Sequence, residues 1–513
     1  MAVRSSPPGC RRSVPRIGAG SGPVARPGRT APRKGTGGAG GEDTVEVEIH
    51  GLAADGAGVG RLGDGRAFFV HRTAPGDRVR ARVTLSRKRW GRGQLEEVLR
   101  PGPDRRPAPC PRYDRCGGCV LEHLAYPAQL QAKAERVSEA LVRIGGRTDL
   151  PPVETHPSPR EFRYRNRASF ALRRLSGGRV VAGFHELDSP GRIVDVGGEC
   201  LLLEEGVARA WEGIREAWGE GARRLPTGPR LRVTVRGVAE GGAILLVEGG
   251  EDPGDSQALL EAVDNLQAIW WIPRPVREGT AHRGTAHRDT AHKGTARGDR
   301  GRQALERGEQ PRDSGSEEPS APVLLAGVEE VEEEWFGERL PVRPGAFLQV
   351  NRWAAPFMHD LVLREMGPPR GTSVLDAYCG FGVYGRRMAR HGAQATGIEL
   401  SEEAVAMAEA RPVSGFRILR GRVEARLAEA IPVRRAVLNP PRQGAAAGVM
   451  EALARGVEER IVYVSCDPAT LARDLAALGE AFRLDRIQVF DLFPQTAHVE
   501  TVVTLNRAGE KPA

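Results

Sequence analysis

The sequence predicts an α/β protein with a small β-barrel in front of it. Its C-terminal part should be a parallel sheet covered by helices on both faces, and a mixed α+β region should lie between. Three observations predict this: strand-like and helix-like segments alternate from about residue 345, short apolar strands separated by glycine turns fill residues 44–100, and a cluster of thiols bracketed by prolines lies in the middle. A length of 513 residues exceeds one compact core, and 65 Gly with 38 Pro imply many turns and some unfolded chain. There is no apolar run of about 18 residues, which excludes a membrane-spanning helix. The first residues carry no apolar stretch of the secretory kind. A cytoplasmic protein, monomeric and without a membrane partner, is expected.

Residues 1–43 hold Arg4, Arg11, Arg12, Arg16, Arg26, Arg29, Arg33 and Lys34 against Glu42 and Asp43, a large share of the net charge of +9. This Gly/Pro/Ser-rich stretch is predicted to be a disordered basic tail. In residues 44–100, Val45, Val47 and Ile49 alternate with glutamates as in a half-buried strand. A glycine-dense turn, Gly51 to Gly65, leads to a second strand at Ala67-Phe68-Phe69-Val70. After Pro75-Gly76-Asp77, Val79, Ala81 and Val83 alternate with Arg78, Arg80 and Arg82. That pattern predicts a small barrel. Its arginine face, continued by Arg87, Lys88, Arg89, Trp90 and Arg92, reads either as a solvated sheet surface or, better, as an RNA-binding face.

Residues 101–271 form the predicted central domain. Cys110, Cys116 and Cys119 fall within ten residues, between Pro109, Pro111 and two glycines, and Cys200 follows Gly197-Gly198 as a possible fourth ligand. In a chain expected to be cytosolic, disulfides are not the default, and four thiolates suit either zinc or an iron–sulfur cluster. Residues 272–322 repeat a Gly-Thr-Ala-His-Arg unit that places His282, His287 and His292 five residues apart. This is predicted to be a low-complexity insertion and is given no function.

Over 323–506 the predicted strands include Val374–Tyr378, Ala395–Leu400, Ala436–Leu438, Ile461–Ser465, Ile487–Phe490 and Glu500–Leu505. Ligands of such sheets sit at the carboxyl ends of the strands. There the sequence places Tyr378 to Gly382, Glu399, Asn439 to Arg442 and Ser465 to Asp467. Gly380-Phe381-Gly382 with Glu399 suits a nucleotide-type cofactor: the glycines allow close approach, and the acid accepts from a ribose diol. Cys379, within that loop, is expected to pack. Cys466 precedes a helix whose N-terminus would lower its pKa. On position alone, a structural thiol and a nucleophile stand level.

Taken together the residues resemble the RNA (uracil-5-)-methyltransferase family, and within it the iron–sulfur ribosomal RNA branch, over about 44–271 and 323–506. The matching motifs are Phe347-Leu348-Gln349-Val350-Asn351, Asp376-Ala377-Tyr378-Cys379-Gly380-Phe381-Gly382, Asn439-Pro440-Pro441-Arg442, Val464 to Asp474 and Phe493 to Glu500. Residues 44–100 are similar to the TRAM domain. The resemblance implies a class I, Rossmann-like methyltransferase domain behind an OB-like barrel. It implies Cys466 as nucleophile, Glu500 as base, and Gln349, Tyr378, Glu399 and Asn439 as contacts of S-adenosyl-L-methionine. It also implies a 4Fe–4S cluster on Cys110, Cys116, Cys119 and Cys200.

The implied reaction is methylation of carbon 5 of a uridine in ribosomal RNA, with transfer RNA as the alternative acceptor. The other reading is an RNA-binding protein with an impaired transferase domain. Two departures from the family's pattern stand out. Asn439 replaces its usual aspartate while Asp467 replaces its usual asparagine, so Asp467 is expected to compensate at the shared sheet edge. Arg422 stands where the family carries an acid after the third strand.

Overall fold

The computed structural model describes residues 44–273, 321–335, 338–342 and 349–509. The basic tail, the His-bearing repeats and Phe347-Leu348 lie outside the described residues.

Strands β1 (Thr44–Leu52), β2 (Gly58–Arg61), β3 (Ala67–Val70), β4 (Arg78–Ser86) and β5 (Trp90–Arg100) close into a barrel in the order β1-β2-β3-β5-β4. Alternation drives closure: Val47, Ile49, Phe68, Val70, Val79 and Ala81 turn inward and form one core. Strand β2 lies inside the stretch expected to be only a glycine turn. The arginine face is also less cationic than its sequence suggests. Arg78 pairs with Glu46, Arg80 with Glu46 and Glu97, Arg82 with Glu96 and Arg92 with Asp55.

The helix Tyr126–Arg143 opens with Pro127 in its first turn, where no intrahelical N–H is needed. Its buried residues Gln129, Lys133, Val137 and Leu141 recur at helical spacing on one face. Strands β6 (Val153–His156), β7 (Arg167–Arg174), β8 (Val180–His185) and β9 (Ile193–Asp195) follow, then the helix Glu205–Ala217, β10 (Arg230–Gly237), β11 (Ala243–Glu248), the short helix Ser256–Glu261, β12 (Leu266–Ile272) and β13 (Val323–Gly327). They build a sheet of order β13-β12-β11-β10-β7-β8-β9. Trp211 of the Glu205–Ala217 helix stacks on Phe170 of β7, with ring centroids 4.4 Å apart, at the heart of that core. β14 (Val331–Trp335) and β15 (Glu338–Val342) form a separate hairpin.

The C-terminal sheet comprises β16 (Ser373–Ala377), β17 (Gln394–Glu399), β18 (Phe416–Arg420), β19 (Val433–Leu438), β20 (Val457–Ser465), β21 (Phe482–Phe490) and β22 (Glu500–Arg507), joined by β6, in the order β18-β17-β16-β19-β20-β22-β21-β6. β16 to β20 are parallel. Ile461 to Ser465 is buried without interruption because helices cover both faces. The sequence-based expectation of a parallel sheet needs one amendment. β22 runs antiparallel to both neighbours, and β6, from outside the C-terminal region, completes the edge. These pairings bring the ends of β16, β17, β19, β20, β21 and β6 and the start of β22 to one rim.

Candidate active site and metal centre

Register alone places the predicted residues along that rim. Ala377 pairs with Ile398 and with Leu438, so Tyr378, Glu399 and Asn439 leave adjacent strands side by side. Ser465 pairs with Thr501, which sets Cys466 across from Glu500. Gln349 does not project from a strand end. Its buried segment is held by Asn166, whose amide donates to the Gln349 carbonyl at 3.2 Å.

The glycine loop is shaped by a buried acid. Asp376 accepts from Gly385 N at 2.8 Å through Oδ2, whereas its buried Oδ1 has no partner. Burial pushes its carboxyl up to about 7. Gly382 has φ +91°, and a Cβ there would lie 2.6 Å from the Phe416 ring. Glu399 accepts from Gly380 N (2.9 Å) on one oxygen and from Leu400 N and Ser401 N (both 2.8 Å) on the other. The carboxylate is thereby fixed, with Oε2 retaining a lone pair for a further donor. Cys379 is buried against Gly397, the packing role expected of it. Arg422 pairs at 3.8 Å with exposed Glu424, so an acid does stand near the end of the third strand, two residues later than expected.

Burial pushes the Cys466 thiol up to about 12, Glu500 and Asp467 add to the rise, and Arg442 opposes it. This corrects the expectation of a lowered pKa: desolvation and two carboxylates outweigh the helix N-terminus. Glu500 is buried and its carboxyl is raised to about 8 by burial, again against the pull of Arg442. Asp467 Oδ1 accepts from Ala469 N and Thr470 N, both at 2.9 Å, capping the helix Pro468–Ala477. One oxygen of the carboxylate expected to compensate at Asn439 is thus engaged in capping its own helix.

Arg442, quoted within its motif but given no role there, is the cation whose charge reaches both Cys466 and Glu500. Its loop is pinned from several sides: Ala445 N and Ala446 N donate to Asp474 (2.7 Å) and to the Tyr378 hydroxyl (3.3 Å), Thr470 Oγ1 donates to the Arg442 carbonyl (3.3 Å), and Arg473 donates to the Gln443 carbonyl (2.8 Å). The available signal was a cation three residues beyond Asn439, in a Pro-Pro turn at the end of a buried strand.

In the central domain, Cys110, Cys116, Cys119 and Cys200 line one cavity with Glu122 and Phe184, and all four are free thiols. Gly117 allows the tight turn: its N–H donates to the His185 carbonyl at 2.9 Å, and a Cβ would lie 2.8 Å from that oxygen. Gly118 N donates to Cys116 Sγ at 3.4 Å. Burial raises all four thiols, Cys116 to about 12; a neighbouring thiolate adds to the rise at Cys116, Cys119 and Cys200, and Glu122 and Glu199 add to it at Cys110. Four unpaired, mutually repelling sulfurs around one cavity fit a cationic metal group, which would stabilise them as thiolates. Among the described residues no three His, Cys, Asp or Glu stand close enough together, as their side chains are placed, to hold a single metal ion.

The family model for tRNA (Uracil-5-)-methyltransferase matches residues 341–508, and that for the TRAM domain matches 42–95. An uncharacterised RNA methyltransferase of Gloeobacter violaceus is 35% identical over 91% of this chain and 97% of its own length. A 23S rRNA (uracil(1939)-C(5))-methyltransferase of Pseudomonas putida is 32% identical over 89% and 92% respectively. Among solved structures, the Pyrococcus abyssi tRNA (uracil-54, C5)-methyltransferase in complex with S-adenosyl-L-homocysteine superposes with a TM-score of 0.63 at 25% identity, covering 90% of this chain and all of that one.

Proposed function

The chain belongs to the RNA (uracil-5-)-methyltransferase family, and from that premise we propose that it methylates carbon 5 of a uridine in large-subunit ribosomal RNA through a covalent adduct on Cys466. The observation that carries the proposal is the placement of Cys466 across from Glu500 at one sheet rim. S-adenosylmethionine supplies an electrophilic methyl group at this rim. The contacts we assign to it are Gln349, Tyr378, Glu399 and Asn439, with the fixed Glu399 carboxylate taking the ribose.

Uracil carbon 5 is a poor nucleophile until carbon 6 is attacked. The Cys466 sulfur bonds to carbon 6, and the ring electrons move to the carbon-4 oxygen as an enolate. Those electrons return through carbon 5 to form the new carbon–methyl bond, leaving S-adenosylhomocysteine. Glu500 then removes the carbon-5 proton, the ring double bond re-forms, and the carbon–sulfur bond breaks to release Cys466. An acid raised to about 8 is a strong base once ionised. Arg442 opposes the rise at both groups, so its charge favours the thiolate and the carboxylate that the two steps need. The target base must leave its stack to reach this rim.

Cys110, Cys116, Cys119 and Cys200 would hold a 4Fe–4S cluster, which takes four Cys ligands and spans them more widely than one zinc ion. It would cross-link the 110–119 loop to Cys200. The family relationship to a 23S rRNA enzyme and the TRAM barrel support ribosomal RNA as acceptor.

The test is trapping on RNA carrying 5-fluorouridine, whose fluorine cannot leave as a proton. Full-length protein with S-adenosylmethionine should form a denaturation-stable complex with large-subunit ribosomal transcripts and none with transfer RNA. Cys466→Ala should form no such complex. Trapping that survives this substitution overturns the nucleophile, and trapping on transfer RNA alone overturns the acceptor.

A further inference from the structure

The described residues expose two large aromatic side chains side by side along the chain. Trp353 is 38% exposed and Phe357, four residues on, is 63% exposed. Singly scattered surface aromatics need no explanation. This pair differs because it is rigidly mounted and carries a cation. The guanidinium of Arg160 lies over the Trp353 ring, 3.8 Å from its centroid. Asn351 fixes the turn before it: its Oδ1 accepts from Trp353 N and Ala354 N (both 3.1 Å), while its amide donates to Ser158 Oγ (3.1 Å) and the Leu492 carbonyl (3.2 Å).

Those partners define where the pair sits. Leu492 follows β21 and Ser158 follows β6. Phe490 of β21 pairs with both Glu500 and His156, so both segments leave the sheet at the rim that carries Cys466. The nearby acid Glu204 makes its ion pair with Arg352 at 2.9 Å and feels the Arg160 charge only at longer range, so the Arg160 guanidinium stays over the Trp353 ring, where it can meet an anion.

We propose that Trp353 and Phe357, with Arg160, form a stacking platform for unpaired RNA bases flanking the target uridine. An aromatic face offers sequence-tolerant stacking, and a guanidinium on its other face strengthens it and meets the adjoining phosphate. A base flipped into the catalytic rim leaves neighbours whose own stacking has been broken, and the platform takes one of them up. This rests on the family reading for the identity of the partner, though its readout does not depend on methyl transfer.

The experiment compares two fluorescein-labelled probes of about twelve nucleotides, a length in the range such sites cover: oligoadenylate, and an RNA backbone of abasic residues. Full-length wild-type protein should bind oligoadenylate about tenfold more tightly. Trp353→Ala should lose most of that preference with abasic binding unchanged, Phe357→Ala should lose part of it, and Trp353→Tyr should keep it. Unchanged affinity for S-adenosylhomocysteine reports that the variants are folded. The proposal is overturned if wild type shows no base preference, if Trp353→Ala retains it, or if that variant weakens both probes equally. Methyl incorporation is measured on the same wild-type preparation. Loss of that activity with base preference intact would sink the methyltransferase reading and leave the platform standing.

Discussion

Gln129 and Gln495 are joined by two reciprocal hydrogen bonds: Gln495 N donates to Gln129 Oε1 at 3.0 Å, and Gln129 Nε2 donates to Gln495 Oε1 at 2.9 Å. Gln495 is fully buried at φ +68°, a left-handed conformation that a Cβ-bearing residue keeps only when its surroundings enforce it. Its carbonyl accepts from Val120 N and Leu121 N, immediately after Cys119. One turn along the same helix face, Lys133 Nζ binds Asp491 at 2.7 Å and the Phe493 carbonyl at 3.2 Å. Arg136 donates to the Ala497 carbonyl at 2.6 Å. The helix that leads away from the thiol loop thus clamps the segment that delivers Glu500.

Removing one side of that pair strands buried polar atoms. Gln129→Ala should destabilise the protein by about 2–4 kcal/mol, since each unsatisfied group costs roughly 1–3. Turnover should fall further than the loss of folded protein explains, because the segment bearing Glu500 loses its anchor. Denaturant titration and kcat measured well below the transition separate the two effects. Unaltered stability would mean that the loop is held elsewhere.

The raised Glu500 carboxyl fixes the direction of the pH dependence. Glu500 acts ionised, so the rate of adduct resolution should climb as pH rises through about 8. The stability effect has the opposite sign. The folded chain holds this proton up to about 8, whereas the unfolded chain releases it near 4.5, so the contribution is complete below about 4.5 and is lost as pH rises through about 8. Glu500→Gln should flatten that decline by as much as about 4–5 kcal/mol at pH 9 while slowing release of the adduct. Parallel pH profiles of wild type and variant would exclude Glu500 as the titrating group.

The cap at Asp467 makes a separate prediction. Asn and Asp are comparable N-caps, so Asp467→Asn should change stability by a few tenths of a kcal/mol, whereas Asp467→Ala should cost about 1 kcal/mol. Removing its charge also relieves the upward push on Cys466, so Asp467→Asn should raise the rate of adduct formation. Asn439→Asp acts on the cofactor side, and the two changes should be additive within about 0.5 kcal/mol in a double-mutant cycle. Strong coupling would restore the idea of an acid and an amide exchanged between the two loops.

Much of the rim was legible because polar residues that end apolar runs reveal strand ends: Tyr378, Glu399, Asn439 and Cys466 each follow such a run. The opposition of Cys466 and Glu500 needed the antiparallel β22, which alternation alone does not reveal. β6 spans only Val153–His156 between prolines and was hidden by its brevity, and β2 was hidden among glycines. Gln129, Lys133 and Arg136 drew no reading from the sequence, because the loop they hold is more than 350 residues away. The charge balance of β4 was hidden in the same way, since the carboxylates that pair with its arginines come from β1 and β5.

The thiol cavity joins two distant segments, so its occupancy should be mechanical as well as chemical. Protein purified without oxygen should be brown and carry about four irons per chain. Cys200→Ser should lose iron and lower the melting temperature of the central domain, because the 110–119 loop is then released from its cross-link. Stoichiometric zinc in place of iron would overturn the cluster assignment.

The barrel's salt dependence should come from its turn rather than from its arginine strand. Arg87, Lys88 and Arg89 are exposed between β4 and β5 with no ion pair recorded among the described residues, beside Trp90, which meets Phe69 edge-on at 6.1 Å. Arg78, Arg80, Arg82 and Arg92 are already engaged by carboxylates. Such exposed pairs are weak, about 0–1 kcal/mol each, but drawing an arginine away leaves an uncompensated Glu or Asp beside the RNA. Each phosphate neutralised on a single strand contributes about −0.7 to the slope of log K against log salt. Replacing Arg87, Lys88 and Arg89 with alanine should therefore flatten the slope by about 2, whereas replacing Arg78, Arg80 and Arg82 should change it by less than about 1. A reversed order would mean that RNA binding breaks the cross-strand pairs and that the strand, not the turn, is the phosphate-binding surface.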